Sequence, residues 1–130
     1  MSHETIEQII RKSTSALNNR NEILLNDFIL LLTENIKSSR SVKYYADLLA
    51  ISVKKLNSIS KTYSGKTAKE FIEEKIINDS QKLLLETPDT IKQISYSMGF
   101  TEPTNFNKFF KKYTSATPLQ FRQKHNNGAF

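Results

Sequence analysis

Side chains able to do covalent or metal chemistry are scarce in these 130 residues. There is no cysteine, which excludes disulfides and thiolate metal sites. The two histidines, His3 and His125, stand at opposite ends, too far apart in sequence to suggest a metal site. Gly65-Lys66-Thr67 lacks the upstream glycine of a phosphate-binding loop. Glu70, Glu73 and Glu74 read more simply as a solvated helix face than as a carboxylate pair. What remains is amide and basic chemistry. Asn57 and Asn107, fifty residues apart, each present an acceptor beside two donors, a bidentate match to the N6/N7 edge of adenine. Lys54 and Lys108 can donate to guanine O6/N7 as point donors. This is the chemistry of binding, and neither a catalytic centre nor a cofactor or metal is expected.

The basic side chains are not evenly spread. Nineteen Lys and Arg against thirteen Asp and Glu leave a net +6, a weak hint of a polyanionic partner. By position the chain divides into residues 1–36 at −2, 37–69 at +7, 70–91 at −4 and 92–130 at +5. Two basic blocks separated by an acidic one suggest two contact patches for one polyanion; solvated helix faces are the bland alternative.

A duplication underlies the two blocks. At an offset of 49, Val42, Tyr45, Leu49, Ala50, Ile51 and Ser52 fall on Ile91, Ile94, Met98, Gly99, Phe100 and Thr101. After one extra residue the offset becomes 50, and Leu56, Asn57, Ile59, Lys61, Tyr63, Thr67 and Phe71 fall on Phe106, Asn107, Phe109, Lys111, Tyr113, Thr117 and Phe121. Two copies of one motif, each within a basic block, favour a bipartite polyanion-binding surface.

Each copy reads as helix, tight turn, helix. Ser41 and Ser52 are expected N-caps in the first copy, with Tyr45, Leu48 and Leu49 as an apolar stripe. In the second, Thr90 and Gln93 form a capping box, Gly99 ends the helix, and Thr101 caps the next with Pro103 in its first turn. Between the copies, Thr67 opens a helix to about Glu86, with Phe71, Ile72, Ile76, Ile77, Leu83 and Leu84 at helical spacing. Twenty residues span roughly 30 Å, close to the roughly 34 Å between successive major-groove faces of duplex DNA. Thr117-Pro118-Leu119-Gln120 starts a short closing helix. Upstream, Ile23, Leu24, Phe28, Leu31, Leu32 and Ile36 predict an amphipathic helix. Residues 1–20 carry a weaker stripe (Ile6, Ile9, Ile10, Leu17), read as a linker or helical extension, with a dimer seam as the alternative.

The expectation is therefore an all-α fold of about seven helices, two helix-turn-helix subdomains joined by a long central helix. Its parts are residues 1–20, 21–66, 67–87 and 88–130. The longest apolar run, Phe28 to Leu32, is too short to cross a bilayer, and no signal-peptide pattern is seen, so a cytoplasmic protein is expected.

Ile91 to Arg122, with Gly99-Phe100, Phe106, Phe109-Phe110-Lys111-Lys112, Thr117-Pro118 and Phe121-Arg122, resembles the signature of the AraC/XylS family of bacterial transcription regulators. Tyr45-Ala46, Leu49, Ser52, Leu56, Gly65-Lys66-Thr67, Lys75-Ile76-Ile77 and Leu83-Leu84 are similar to that family too. The resemblance implies sequence-specific binding of double-stranded DNA, with the second helix of each unit in adjacent major grooves, at the bacterial nucleoid and with RNA polymerase nearby. It places base reading on Lys54, Asn57 and Ser58 in the first unit and on Pro103, Thr104, Asn107 and Lys108 in the second. Phosphate contacts fall on Arg40, Lys43, Lys55, Lys61, Lys92, Lys111 and Lys112. Ser115, Ser80, Ile76 and Ser60 depart from the family's usual Gly, Ala, Arg and aromatic. The first recognition helix is thus the weaker match. Members often carry a sensing or dimerising domain ahead of this region, and this chain has none, so it is either a stand-alone regulator or the C-terminal piece of a longer one. The rival reading is a helical protein-interaction domain whose basic faces bind an acidic partner.

Overall fold

The structure, a computed structural model, describes residues 5–126, with the side chains of residues 9–18 and 126 left aside. His3 and the proposed stripe residues Ile9, Ile10 and Leu17 lie outside that description. Seven helices make up the described residues: α1 (Ile6–Asn35), α2 (Val42–Leu48), α3 (Val53–Ser64), α4 (Ala68–Glu86), α5 (Ile91–Ser97), α6 (Pro103–Thr114) and α7 (Pro118–Asn126). None is long and apolar enough to cross a membrane.

Local chemistry sets most of the boundaries. Ser41, Ser52 and Thr67 accept from the backbone N–H three residues on, at Tyr44, Lys55 and Glu70. Full capping boxes form at Thr90–Gln93 and Thr117–Gln120, each satisfying two N–H groups that a helix start leaves orphaned. A third, Thr5–Gln8, starts α1 far earlier than expected. Of the two readings of this segment, the described residues follow the helical extension: from Ile6 onward it continues into the helix predicted from residue 21, about 45 Å in all. One cap was misplaced. The N-cap of α6 is Glu102, which makes no side-chain cap bond, and Thr101 is the extra residue of the second turn. Pro103 at the first helical position limits the loss, because it has no N–H to satisfy.

α4 is the spine. Its buried Ala68, Ile72, Ile76, Ile77, Ser80 and Leu84 pack against α1, α2 and α3 on one side and α5 and α7 on the other. α1 joins the core through Leu25, Phe28, Leu32 and Ile36, spaced for one helix face. Ile23 of the predicted stripe points outward at 58% exposure, and so does Leu48 of α2 at 50%. In the first unit Phe28 meets Tyr45 and Phe71 edge-on, at 5.7 and 6.0 Å. The Tyr45 hydroxyl donates to Ser39 O at 2.7 Å. Burial, and then the neighbouring Tyr44, push this phenol up to about 12, so it stays a donor across the neutral range. The second unit is built on Phe100, Phe106, Phe109, Phe110 and Phe121, linked by ring contacts of 5.3 to 5.9 Å. Arg122 fastens α7 to the end of α4. Its guanidinium donates to Leu84 O at 2.9 Å, Thr87 O at 3.1 Å and Asp89 O, carbonyls at α4's C-terminus and in the following loop.

Candidate nucleic-acid interface

α3 and α6 are the second helices of the two units, and both are twelve residues long. Each buries one face, Leu56, Ile59 and Ser60 in α3 and Phe106 and Phe110 in α6. The opposite faces are exposed: Lys54, Ser58 and Lys61 in α3, Thr104, Lys108 and Lys111 in α6. Both sets are spaced i, i+4, i+7, one helix stripe, and they superpose at the offset of 50. Lys55 and Lys112 are exposed beside them, and Pro103 is half-buried at the start of α6. Asn105, exposed one residue further on, was not singled out from sequence, although it matches Lys55 in the repeat.

The two asparagines, which were assigned to base edges, are only half exposed and face inward. Ala68 N–H, at the first turn of α4, donates to Asn57 Oδ1 at 3.1 Å. Asn57 thereby caps the spine helix from eleven residues away. Asn107 Oδ1 is buried with no hydrogen-bond partner. The repeat supplies the reason: the residue matching Ala68 is Pro118, equally buried, and proline has no N–H to give. Neither Oδ1 is thus presented to solvent as the bidentate contact to an adenine edge assumes.

The predicted phosphate contacts divide as well. Lys55, Lys61, Lys111 and Lys112 are exposed. Lys43 Nζ pairs with Asp47 at 2.9 Å, a surface pair worth well under about 1 kcal/mol and easily exchanged. Lys92 Nζ lies 6.0 Å from the Tyr96 ring centroid. Arg40 stacks on Phe100, Cζ 4.0 Å from the centroid. On the spine, Lys66 pairs with Glu74, Lys69 with Glu73 and Lys75 with Asp79. Two cations of the first basic block thus answer acids of the middle block, and the charge pattern along the chain is sharper than the one in space.

A cleft of about 500 Å³ lies between α4 and α7, with Glu70, Glu74, Lys124 and His125 in its wall and Tyr113 and Thr114 of α6 at its side. Its His125 ring packs on Phe121 at 4.4 Å, and among the described residues no cluster of His, Asp and Glu could hold a metal.

A sequence profile described as a helix-turn-helix domain matches residues 45–124. The transcriptional regulator ArgR of Pseudomonas aeruginosa is 25% identical over 105 residues, 81% of this chain and 32% of that protein; this chain spans about a third of that relative's length. A solved transcriptional regulator with an AraC-type DNA-binding domain, from Chromobacterium violaceum, is 25% identical with a TM-score of 0.72, over 82% of this chain and 96% of that one. The DNA-binding domain of AdpA, a global transcriptional factor solved with a target DNA, shares the fold at a TM-score of 0.72 and 14% identity, over 79% of this chain and 93% of that one. All three are transcription regulators by name, and the two solved ones carry DNA-binding domains. With more than half of its length covered by the helix-turn-helix profile, and an AraC-type domain as its structural counterpart, the chain belongs to the AraC/XylS family of transcription regulators.

Proposed function

We propose that this chain binds double-stranded DNA by sequence and regulates transcription with α3 and α6 in adjacent major grooves, its work being binding rather than catalysis. The observation that carries the reading is the paired stripe: Lys54, Ser58 and Lys61 on α3, and Thr104, Lys108 and Lys111 on α6, exposed at identical places in the two copies. Base reading is assigned to Lys54, Ser58, Pro103, Thr104 and Lys108, joined by Asn105. Phosphate contact is assigned to Lys55, Lys61, Lys111 and Lys112, with Lys43 and Lys92 at the starts of α2 and α5. Asn57 is reassigned to capping α4, and Asn107, its Oδ1 buried, is left out of the base-reading set. α4, nineteen residues long, spans about 28 Å, of the order of the DNA repeat. Its site of action is then the bacterial cytoplasm, with RNA polymerase as the neighbour on which regulation acts.

Anisotropy titration of a labelled duplex against salt and against competitor duplex tests this. Affinity should fall steeply with salt while one sequence outcompetes mixed duplex by at least about a thousandfold. Equal affinity for every duplex, or binding only to an acidic protein, would refute it.

A further inference from the structure

Away from the shared spine, the loop between α1 and α2 lies against the turn between α5 and α6. Arg40 Cζ is 4.0 Å from the Phe100 ring centroid. Gly99, at φ +87, leaves room for the backbone there: a Cβ on it would stand 3.1 Å from Lys37 O. Residues 36–41 and Gly99 together line a small polar cavity of about 320 Å³. Phe100 itself is buried and rests on Phe106 and Phe109, at 5.3 and 5.6 Å, so its ring is fixed by the core beneath α6. At the matching position of the first unit stands Ile51, which offers no such face.

We propose that Arg40 on Phe100 is a strap that sets the angle between the two units, and that Arg40 is a positioning residue for half-site spacing. The second unit is held to α4 through α5 and α7, and the Arg40–Phe100 stack adds a contact from the first unit to the turn leading into α6. A planar guanidinium suits this place because it stacks on the ring, where an ammonium offers only a point charge. The stack also explains why Arg40, expected among the phosphate contacts, is held at the seam. The spacing role rests on the two-groove reading above; the strap itself is a property of the free protein.

The test therefore has two arms. The chain lacks cysteine, so Thr62→Cys on α3 and Gln123→Cys on α7, both exposed, can carry spin labels in the full chain. The distance distribution between them is measured with Arg40 intact, with Arg40→Lys and with Arg40→Ala. The DNA arm compares affinity for selected half-sites at their native spacing and with one base pair added or removed. Both variants should broaden the distance distribution and cut discrimination against the altered spacers about threefold or more, while thermal midpoints stay put. An unchanged distribution overturns the strap, whatever the chain binds. Equal weakening on all three spacers overturns the positioning role in favour of a plain phosphate contact.

Discussion

The two helix-turn-helix units share one pattern and solve its backbone demands in opposite order. Each unit needs two residues in the left-handed region, one in the tight turn and one after the second helix. The first unit places Ala50 (φ 56) in the turn and Gly65 (φ 76) after the helix; the second places Gly99 (φ 87) in the turn and Ser115 (φ 66) after the helix. A residue with a Cβ costs about 1–2 kcal/mol in that region, so each unit carries one strained corner. Their cores differ in the same complementary way. Ser60, buried and donating to Lys66 O, stands where the second unit has the fully buried ring of Phe110. The first unit gains apolar contact from α1, through Phe28 on Tyr45 and Phe71; the second packs on the aliphatic face of α4 and supplies the aromatic contacts from its own phenylalanines. A duplicated motif thus keeps its exposed stripe while its interior diverges with what each copy packs against.

Exchanging the interior residues should break the equivalence most sharply. Phe110→Ser should cost about 3–5 kcal/mol, since a buried ring is lost into a cavity. Ser60→Phe should cost about 1–3 kcal/mol by overpacking. Denaturant unfolding measures both, and similar small losses would show that the cores are interchangeable.

The glycines separate next. Gly99→Ala meets both the positive φ and Lys37 O at 3.1 Å, for an expected loss of about 2–3 kcal/mol. At Gly65 a Cβ finds nothing within 4 Å, so Gly65→Ala should lose only about 1 kcal/mol, from φ alone. Equal melting shifts for the two would remove the interunit contact as the cause.

The asparagines sharpen the comparison further. Asn57→Ala strands the Ala68 N–H and should destabilise by about 1–2 kcal/mol. Asn107→Ala removes an oxygen that already lacks a partner and should fall within about 0.5 kcal/mol of the parent, on either side. A reversed order would contradict the roles given to Ala68 and Pro118. Smallest are the strained corners: Ala50→Gly and Ser115→Gly should each stabilise by about 0.5 kcal/mol, the relief being partly offset by glycine's greater freedom when unfolded. A loss on thermal unfolding would mean that the Cβ at that corner makes a contact worth more than its strain.

Most of the fold was legible because most of its determinants are local. Caps at Ser41, Ser52, Thr67, Thr90 and Thr117 act within three residues, and the αL corner at Gly99 needs only its own φ. The duplication then paired the recognition helices and their exposed lysines. What sequence missed acts over longer distances. Repetition of Asn57 and Asn107 suggested shared base contact, but their surroundings differ eleven residues on, where Ala68 N–H donates to Asn57 Oδ1 and Pro118 has no N–H for Asn107. Arg122 reaches carbonyls more than thirty residues away, and Arg40 crosses to the other unit. Ile23 and Leu48 fit the apolar period yet face outward, because period alone does not say which flank of a stripe meets a neighbour. Thr101 looked like the cap because the turn's extra residue could be placed on either side of it.

The central claim, that two equivalent helices read one duplex together, is tested most directly by selecting bound sites from random duplexes and footprinting the winners with hydroxyl radical. The account predicts an enriched bipartite site whose two protected blocks lie on one DNA face, centred about 10–10.5 base pairs apart. A single protected block, or no enrichment of any sequence, would contradict it.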